Sequence, residues 1–176
     1  LENGIDAAAF ASGTAAVVGS ILNITESGDE ILSAKNLYGG TYTLLNNSLK
    51  QYGIKTTFFD GQNHEELKSL INPKIKLVYL ESIGNPNADI VPLKEISEIA
   101  HSYNIPVIVD NTFGSPYLFK AFDFGADIVV HSATKFLGGH GTTLGGVVVD
   151  SGNFDFNKEK YSMFTTSDSN IGGKKY

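Results

Sequence analysis

The chain has 176 residues, of which 41% are hydrophobic and 18% are charged, an ordinary balance for a globular protein with one hydrophobic core. Its formal net charge of -6 argues against nucleic acid as the main partner, because phosphate binding favours a basic surface. The absence of cysteine excludes disulfides and thiolate metal sites, and the absence of a secretory signal and of an apolar run of roughly 18 residues favours the cytoplasm.

The predicted secondary structure alternates strands with helices. In chain order the pattern predicts an apolar run at 7–10, a helix at 14–21, a strand at 30–33, a helical segment at 39–49, a strand at 54–59, a helix at 65–71 and a strand at 75–80. A helix that begins at Pro92 and strands at 106–109, 127–130 and 145–149 follow. Because these strands lack polar alternation, we expect an α/β fold, with a mainly parallel sheet covered by helices on both faces.

The strongest chemical signal is the segment 130–141, since ligands of such folds bind at the carboxyl ends of the strands. Lys135 follows a buried strand, with Ser132 and Thr134 before it and glycines behind it. A lysine that forms an imine must be partly desolvated, hydroxyl groups can hold a phosphate, and glycine lets the backbone approach a ligand. A surface lysine in a glycine-rich loop explains the local sequence about equally well.

Asp110 ends another buried strand, upstream of Lys135. A carboxylate in that position is costly unless it has a cationic partner. The protonated ring nitrogen of pyridoxal 5′-phosphate (PLP) is such a partner. Taken alone, Asp110 is more simply a helix cap or a magnesium ligand, but together with Lys135 it favours PLP.

Three weaker signals lie in turns. The segment 12–14, Ser-Gly-Thr, is expected at a strand-to-helix turn whose N–H groups and helix dipole attract an anion. Tyr38 precedes two glycines and offers a ring for stacking, and Asn85 of an Asn-Pro pair offers a donor to a phenolate oxygen. An ordinary helix start, a core or surface tyrosine and an everyday turn are the alternatives.

The four histidines lack a recognised metal-ligand spacing, so no metal site is predicted. His64 and His101 are expected on helix surfaces that face solvent.

Two segments carry a resemblance to a known family. Residues 110–113 (Asp-Asn-Thr-Phe) and 125–135 (Gly-Ala-Asp-Ile-Val-Val-His-Ser-Ala-Thr-Lys) are similar to the Cys/Met-metabolism PLP-dependent enzymes, and the similarity extends over nearly the whole chain. The resemblance implies PLP as the cofactor. It also implies PLP fold type I, in which the large domain is aspartate-aminotransferase-like and has a seven-stranded sheet.

The resemblance further implies a role for each candidate residue. Lys135 corresponds to the lysine that binds PLP covalently, Asp110 to the partner of the ring nitrogen, and Tyr38 to the tyrosine that stacks on the ring and assists proton transfer. Asn85 corresponds to the side chain near the O3′ oxygen. The residues that correspond to the phosphate cradle are Gly13, Thr14, Ser132 and Thr134.

Within this family, residues 81–86 and 138–142 resemble the O-acetylhomoserine sulfhydrylase branch. That likeness implies a transferase of methionine biosynthesis that converts O-acetyl-L-homoserine and sulfide to L-homocysteine and acetate. A γ-lyase or cystathionine γ-synthase reaction on the same scaffold stays open, as does a non-catalytic α/β domain. The expected partners are the amino-acid substrate and sulfide, without nucleic acid or membrane, in a homodimer or homotetramer.

The whole chain, 1–176, is expected to form an incomplete PLP-binding large domain, with 151–176 beginning the connection onward. The family's N-terminal arm, with its Tyr-x-Arg segment, and its C-terminal domain, with the arginine that binds the substrate carboxylate, are not among the 176 residues. By themselves these residues are therefore expected to bind PLP poorly and to have no turnover.

Overall fold

A computed structural model describes residues 1–169 and 172–174, and seven strands of this part of the chain form one sheet. The strands are β1 Asp6–Phe10, β2 Glu30–Ala34, β3 Lys55–Phe59, β4 Ile75–Glu81, β5 Val107–Asp110, β6 Ile128–Ser132 and β7 Gly146–Asp150. Their order is β1-β7-β6-β5-β4-β2-β3, and β7 alone runs against the others, antiparallel to both β1 and β6. The predicted mainly parallel seven-stranded sheet is confirmed.

The helices are α1 Gly13–Leu22, α2 Gly39–Thr43, α3 His64–Leu70, α4 Leu93–Ser102 and α5 Ser115–Leu118. The helical segment expected at 39–49 is three consecutive short pieces: α2, a π turn at Leu44–Ser48 and a 3₁₀ turn at Leu49–Tyr52. Its polar residues 46–48, Asn-Asn-Ser, compete with the backbone for hydrogen bonds and weaken a regular α-helix. Further 3₁₀ turns lie at Ala121–Phe124 and Glu159–Phe164, and Pro92 caps α4 instead of being its first residue.

Both faces of the sheet are buried, as the continuous apolar strands predict. On one face, Val78 and Leu80 of β4 pack in a cluster with Ile96 of α4. On the other face, Leu77 and Tyr79 pack in a cluster with residues of α1. Successive side chains of β4 therefore alternate between two hydrophobic cores, which fixes the strand in its register because a shift by one residue would exchange them.

Parallel pairing brings the carboxyl ends of β4, β5 and β6 to one edge of the sheet. Glu81 at the end of β4 is in register with Asp110 of β5, and Asp110 is in register with Val130 of β6. The helix α1 begins at the same edge, directly after β1. This edge is where the sequence predicts the ligand site.

The segment after β7 packs against the second core. Phe154 and Phe156 make ring contacts with Tyr161, which is 1% exposed. The Tyr161 hydroxyl lies 3.0 Å from the carbonyl oxygens of both Lys76 and Asn104, which share its one proton as acceptors. The role of 151–176 as the start of a connection stays a prediction, and Asn170, Ile171, Lys175 and Tyr176 lie outside the described residues. No helix within the described part of the chain has the length and apolar character to cross a membrane.

His101 contacts a buried carboxylate, contrary to the expectation that it faces only solvent. Oδ2 of Asp127 accepts hydrogen bonds from the backbone N–H of Val107 at 2.7 Å and from Nε2 of His101 at 2.8 Å. The carboxylate thereby joins α4 to the start of β5. The hydrogen bond to Asp127 raises the pKa of His101, although partial burial opposes the rise.

We expect this contact to make the free energy of unfolding depend on pH. A raised pKa means that the fold stabilises protonated His101, an effect that is complete below about pH 6.5 and is lost as pH rises through the folded-state pKa. Relative to His101→Gln, the wild type should gain up to about 1 kcal/mol at acidic pH and less at pH 9. Urea unfolding of the intact protein at both pH values measures this, with exposed His140→Gln as the control. A difference that is equal at both pH values contradicts it.

Candidate active site

A cavity of about 310 Å³ lies at the carboxyl edge of the sheet, and every residue that the sequence analysis proposes for the site lines it. These residues come from five separate regions of the chain. They are Gly13, Thr14, Tyr38, Asn85, Asp110, Ser132, Thr134 and Lys135. The individual roles of these residues stay predictions, but the fold brings all of them together.

One end of the cavity is formed by the start of α1. The side chain of Ser12 caps this helix by accepting a hydrogen bond of 3.1 Å from the amide of Ala15. The amides of Gly13 and Thr14 lie in the first turn, where a helix has no internal partners for its N–H groups and carries a partial positive charge. A β-carbon at Gly13 would lie 2.6 Å from Cβ of Ser132, so glycine is what lets the helix approach β6 this closely. The amides of Gly13 and Thr14 and the side chain of Ser132 thus lie at the same end of the cavity, and this arrangement suits a phosphate.

The turn after β6 carries Thr134 and Lys135. Oγ1 of Thr134 accepts a hydrogen bond of 3.1 Å from the amide of Gly145 and donates one of 3.3 Å to its carbonyl, which ties the turn to the start of β7. The amide of Lys135 donates to the carbonyl of Ser132 at 3.1 Å. Lys135 is exposed in this chain, so the expected partial desolvation is not found.

Asp110 lies at the base of the cavity and is held by the residue two positions later. Its Oδ1 accepts a hydrogen bond of 2.9 Å from the amide of Thr112, and Oγ1 of Thr112 accepts one of 2.8 Å from the amide of Ser132. Thr112 therefore links the base of the cavity to the end that suits a phosphate. Burial raises the pKa of Asp110, while the hydrogen bonds from Thr112 and the nearby His131 act against the rise.

The carboxyl groups at the base of the cavity suit the protonated ring nitrogen of PLP. The buried carboxyl of Glu81 adjoins half-buried Asp110, and burial together with the charge of Asp110 raises the pKa of Glu81 to about 8. Among the described residues, no salt bridge reaches either carboxyl. Two carboxyls without an ion-pair partner at the base of an open cavity favour a cationic ligand group. The sequence alone predicts no site role for Glu81, which it places only in the segment 81–86.

Tyr38 is placed at the cavity by its main chain and by the glycine that follows it. Its amide donates a 2.6 Å hydrogen bond to Oε1 of Glu81, which fixes the start of α2. Tyr38 is 54% exposed, and its ring lies close to Gly40, since a β-carbon there would lie 2.6 Å from its Cε1 atom. Asn85 borders the same cavity from the loop after β4, which the bridge between Ile83 and Ile90 closes.

A buried polar network that the sequence does not predict includes Asn111, the residue after Asp110. Oε1 of Glu2 lies 2.6 Å from Nε2 of His131 and accepts a 3.1 Å hydrogen bond from Nδ2 of Asn111. Burial acts to raise the pKa of Glu2, but the hydrogen bonds from His131 and Asn111 outweigh it and lower the pKa. Glu2 and His131 are far apart in the sequence, so no local pattern connects them. An isolated acidic residue beside the start of β1 was the only available signal.

Comparison with known proteins places the chain in a family. The family model described as "Cys/Met metabolism PLP-dependent enzyme" matches residues 1–173. The chain belongs to this family. The expected cofactor, PLP, and the expected enzyme class are thereby confirmed for the Cys/Met metabolism family to which it belongs.

Curated relatives in this family are named as a sulfhydrylase, a homocysteine synthase and a methionine gamma-lyase. The chain is 43% identical over its whole length to the O-acetyl-L-homoserine sulfhydrylase of Leptospira meyeri, covering 40% of that protein. It is 48% identical over 90% of its length to the homocysteine synthase of Schizosaccharomyces pombe, covering 37% of it. It is also 44% identical over 88% of its length to the L-methionine gamma-lyase of Treponema denticola, covering 39% of it. The chain thus spans about two fifths of the length of the curated relatives it matches.

A solved structure agrees with the fold. A Campylobacter jejuni protein assigned as an O-acetylhomoserine (thiol)-lyase superposes with a TM-score of 0.95 at 34% identity, over 99% of this chain and 44% of that one. That protein holds an N′-pyridoxyl-lysine-5′-monophosphate. The likeness confirms the predicted type I fold for this member of the Cys/Met metabolism family.

We expect Gly13→Ala to weaken PLP binding in this family member. The added β-carbon would meet Ser132 at 2.6 Å from its Cβ and 2.9 Å from its Cα, so α1 and β6 must move apart at the end of the cavity that suits a phosphate. Titration of the intact apoenzyme with PLP, followed by visible absorbance, should give an affinity lower by about tenfold or more, since each 1.4 kcal/mol lost is a factor of ten. Gly39→Ala is the matched control, because a β-carbon there meets nothing within 4 Å. Equal affinities for the two variants contradict the prediction.

Proposed function

We propose that the intact enzyme catalyses a PLP-dependent γ-replacement that converts O-acetyl-L-homoserine and sulfide to L-homocysteine and acetate. The names of its relatives support this reaction class. The observation that carries the proposal for this chain is the cavity, in which exposed Lys135, half-buried Asp110 and the N-terminus of α1 surround about 310 Å³.

When bound, PLP supplies a carbonyl group that combines with amines and a ring that draws electrons from the neighbouring carbon. Nζ of Lys135 is the proposed point of covalent attachment. The carboxyl of Asp110 is proposed to hold the proton on the ring nitrogen, because a buried carboxylate stabilises a cation that it contacts. The ring of Tyr38 is proposed to stack on the cofactor, and Asn85 to donate to its O3′ oxygen.

The phosphate is proposed to bind where the start of α1 meets the turn after β6. The amides of Gly13 and Thr14 offer N–H donors there, and Ser132 and Thr134 line the same end of the cavity with hydroxyl groups. The dipole of the ten-residue α1 adds to the attraction.

Lys135 is also the proposed proton carrier. Nζ of Lys135 would take the proton from Cα of the amino-acid substrate and move protons to and from Cβ, with the hydroxyl of Tyr38 assisting. In the overall reaction the C–O bond at Cγ breaks with acetate as the leaving group, and a C–S bond forms from sulfide. The exposure of Lys135 in this chain leaves its amine accessible for this exchange.

A γ-lyase reaction is the second candidate, because the chain is 44% identical to an L-methionine gamma-lyase. A γ-lyase breaks the bond at Cγ without forming the C–S bond, and releases ammonia and a 2-oxo acid. Cystathionine formation is a third outcome on the same scaffold, with a thiol amino acid in place of sulfide. The expectation that the enzyme is a cytoplasmic homodimer or homotetramer stays a prediction.

Borohydride reduction of the intact PLP-loaded enzyme is expected to leave a pyridoxyl group on the peptide that contains Lys135. The reason is that, among the described residues, Lys135 is the lysine that lines the cavity. Peptide mass spectrometry locates the group. Lys120→Arg, a change of lysine outside the cavity lining, should leave the label in place, whereas Lys135→Arg should abolish it. A label on any other lysine would overturn the assignment.

Product analysis with and without sulfide tests the proposed reaction. With O-acetyl-L-homoserine and sulfide, the intact enzyme should form L-homocysteine and acetate in equal amounts. Without sulfide, a replacement enzyme should release little 2-oxobutanoate, whereas a γ-lyase should release it at a similar rate in both cases. Sulfide-independent formation of 2-oxobutanoate as the main product would favour the second candidate.

A further inference from the structure

Glu81 and Asp110 form a side-by-side pair of carboxyl groups at the base of the cavity. They are register partners on the neighbouring parallel strands β4 and β5, so their side chains project from the same face of the sheet. Both line the cavity, and Glu81 is only 6% exposed. Neighbouring strands of a sheet lie about 4.8 Å apart, which brings two such side chains within the range of strong repulsion when both are charged.

The groups that face this pair leave its charge largely uncompensated. The buried hydroxyl of Tyr79, on the same strand as Glu81, lies near Asp110 and is neutral, because burial and the two carboxyl charges raise its pKa. His131 acts on Asp110 from the next strand, and Lys135 and Tyr38 line the cavity above. None of the salt bridges formed by the described residues includes Glu81. Two adjacent carboxyls, of which Glu81 is buried and Asp110 half-buried, favour a state in which only one of them is ionised.

Glu81 also holds the main chain of the site by a hydrogen bond. Its Oε1 accepts the 2.6 Å hydrogen bond from the amide of Tyr38. This hydrogen bond becomes stronger when Glu81 loses its proton, because a carboxylate accepts more strongly than a neutral carboxyl group. The residue that borders Asp110 is therefore also the one that holds the main chain at the proposed stacking residue.

We propose that Glu81 is a positioning residue that anchors Tyr38 and, with Asp110, stores a proton that leaves Glu81 when a cationic ring nitrogen occupies the site. The inference rests on the proposed PLP site. The proton passes either to the ring nitrogen or to the buffer. In both cases the wild type draws fewer protons from solution, or releases more, than a variant whose residue 81 cannot ionise.

The direction follows from the charges. In the absence of a ligand, burial and Asp110 keep Glu81 protonated near neutral pH, since they raise its pKa to about 8. A positive charge beside the pair favours the carboxylate and lowers that pKa. Binding of PLP near pH 7 should therefore be coupled to the loss of this proton.

Calorimetric titration of the intact apoenzyme with PLP at pH 7, in two buffers with different ionisation enthalpies, counts the protons exchanged. We expect the wild type and Glu81→Gln to differ by about half a proton or more per site, with more release in the wild type. Glu66→Gln is the matched control. Glu66 also accepts a backbone hydrogen bond, of 2.8 Å from Asp60, but does not line the cavity, so its proton count should equal that of the wild type.

A second comparison isolates the anchor. The amide oxygen of Glu81→Gln can still accept from Tyr38, whereas Glu81→Leu cannot, so the Leu variant should bind PLP about tenfold more weakly than the Gln variant. Equal affinities would overturn the anchoring role. If Glu81→Leu does not fold by circular dichroism, the proton count of Glu81→Gln alone decides the proposal.

The outcomes separate this inference from the proposed function. If the wild type binds PLP stoichiometrically and Glu81→Gln exchanges the same number of protons, the proton-storing role is wrong and the PLP site stands. If the wild type binds no PLP, the proposed function itself fails.

Discussion

Parallel pairing of β4, β5 and β6 is the constraint on which the site depends. The register places Glu81 beside Asp110 and places Asp110 beside the strand that ends at Ser132. Each strand is held in that register by two hydrophobic cores, so a slip would cost the burial of whole rows of side chains. The positions of the carboxyl groups are thus determined by apolar residues that never reach the cavity.

Close packing of α1 against β6 completes the site from the other side. A glycine at the first position of α1 lets the helix start against Ser132, where larger residues would be excluded. Thr112 then connects this end to the carboxyl groups, because it donates its amide to Asp110 and accepts the amide of Ser132. The two ends of the cavity are therefore held at a fixed spacing by a short chain of hydrogen bonds.

Much of the fold and of the candidate site can be predicted from the sequence, because several site residues follow continuous apolar strands. Asp110, Ser132 and Lys135 can be found that way, since the ends of parallel strands meet. The pairing of Glu2 with His131 and the contact of Glu81 with Tyr38 could not be predicted. Each joins two segments that are distant in the sequence, and no sequence pattern links them. The exposure of Lys135 depends on packing that local propensity does not describe.

The antiparallel strand β7 has a consequence for how the chain folds. β1 pairs with β7, and Glu2 contacts His131, so both ends of this region must come together across more than a hundred intervening residues. Contacts of such long sequence separation form slowly, because the entropy of closing the loop must be lost first. During synthesis, β1 has to wait until β7 has been made. The polar network of Glu2, Asn111 and His131 therefore cannot form before His131 has been synthesised.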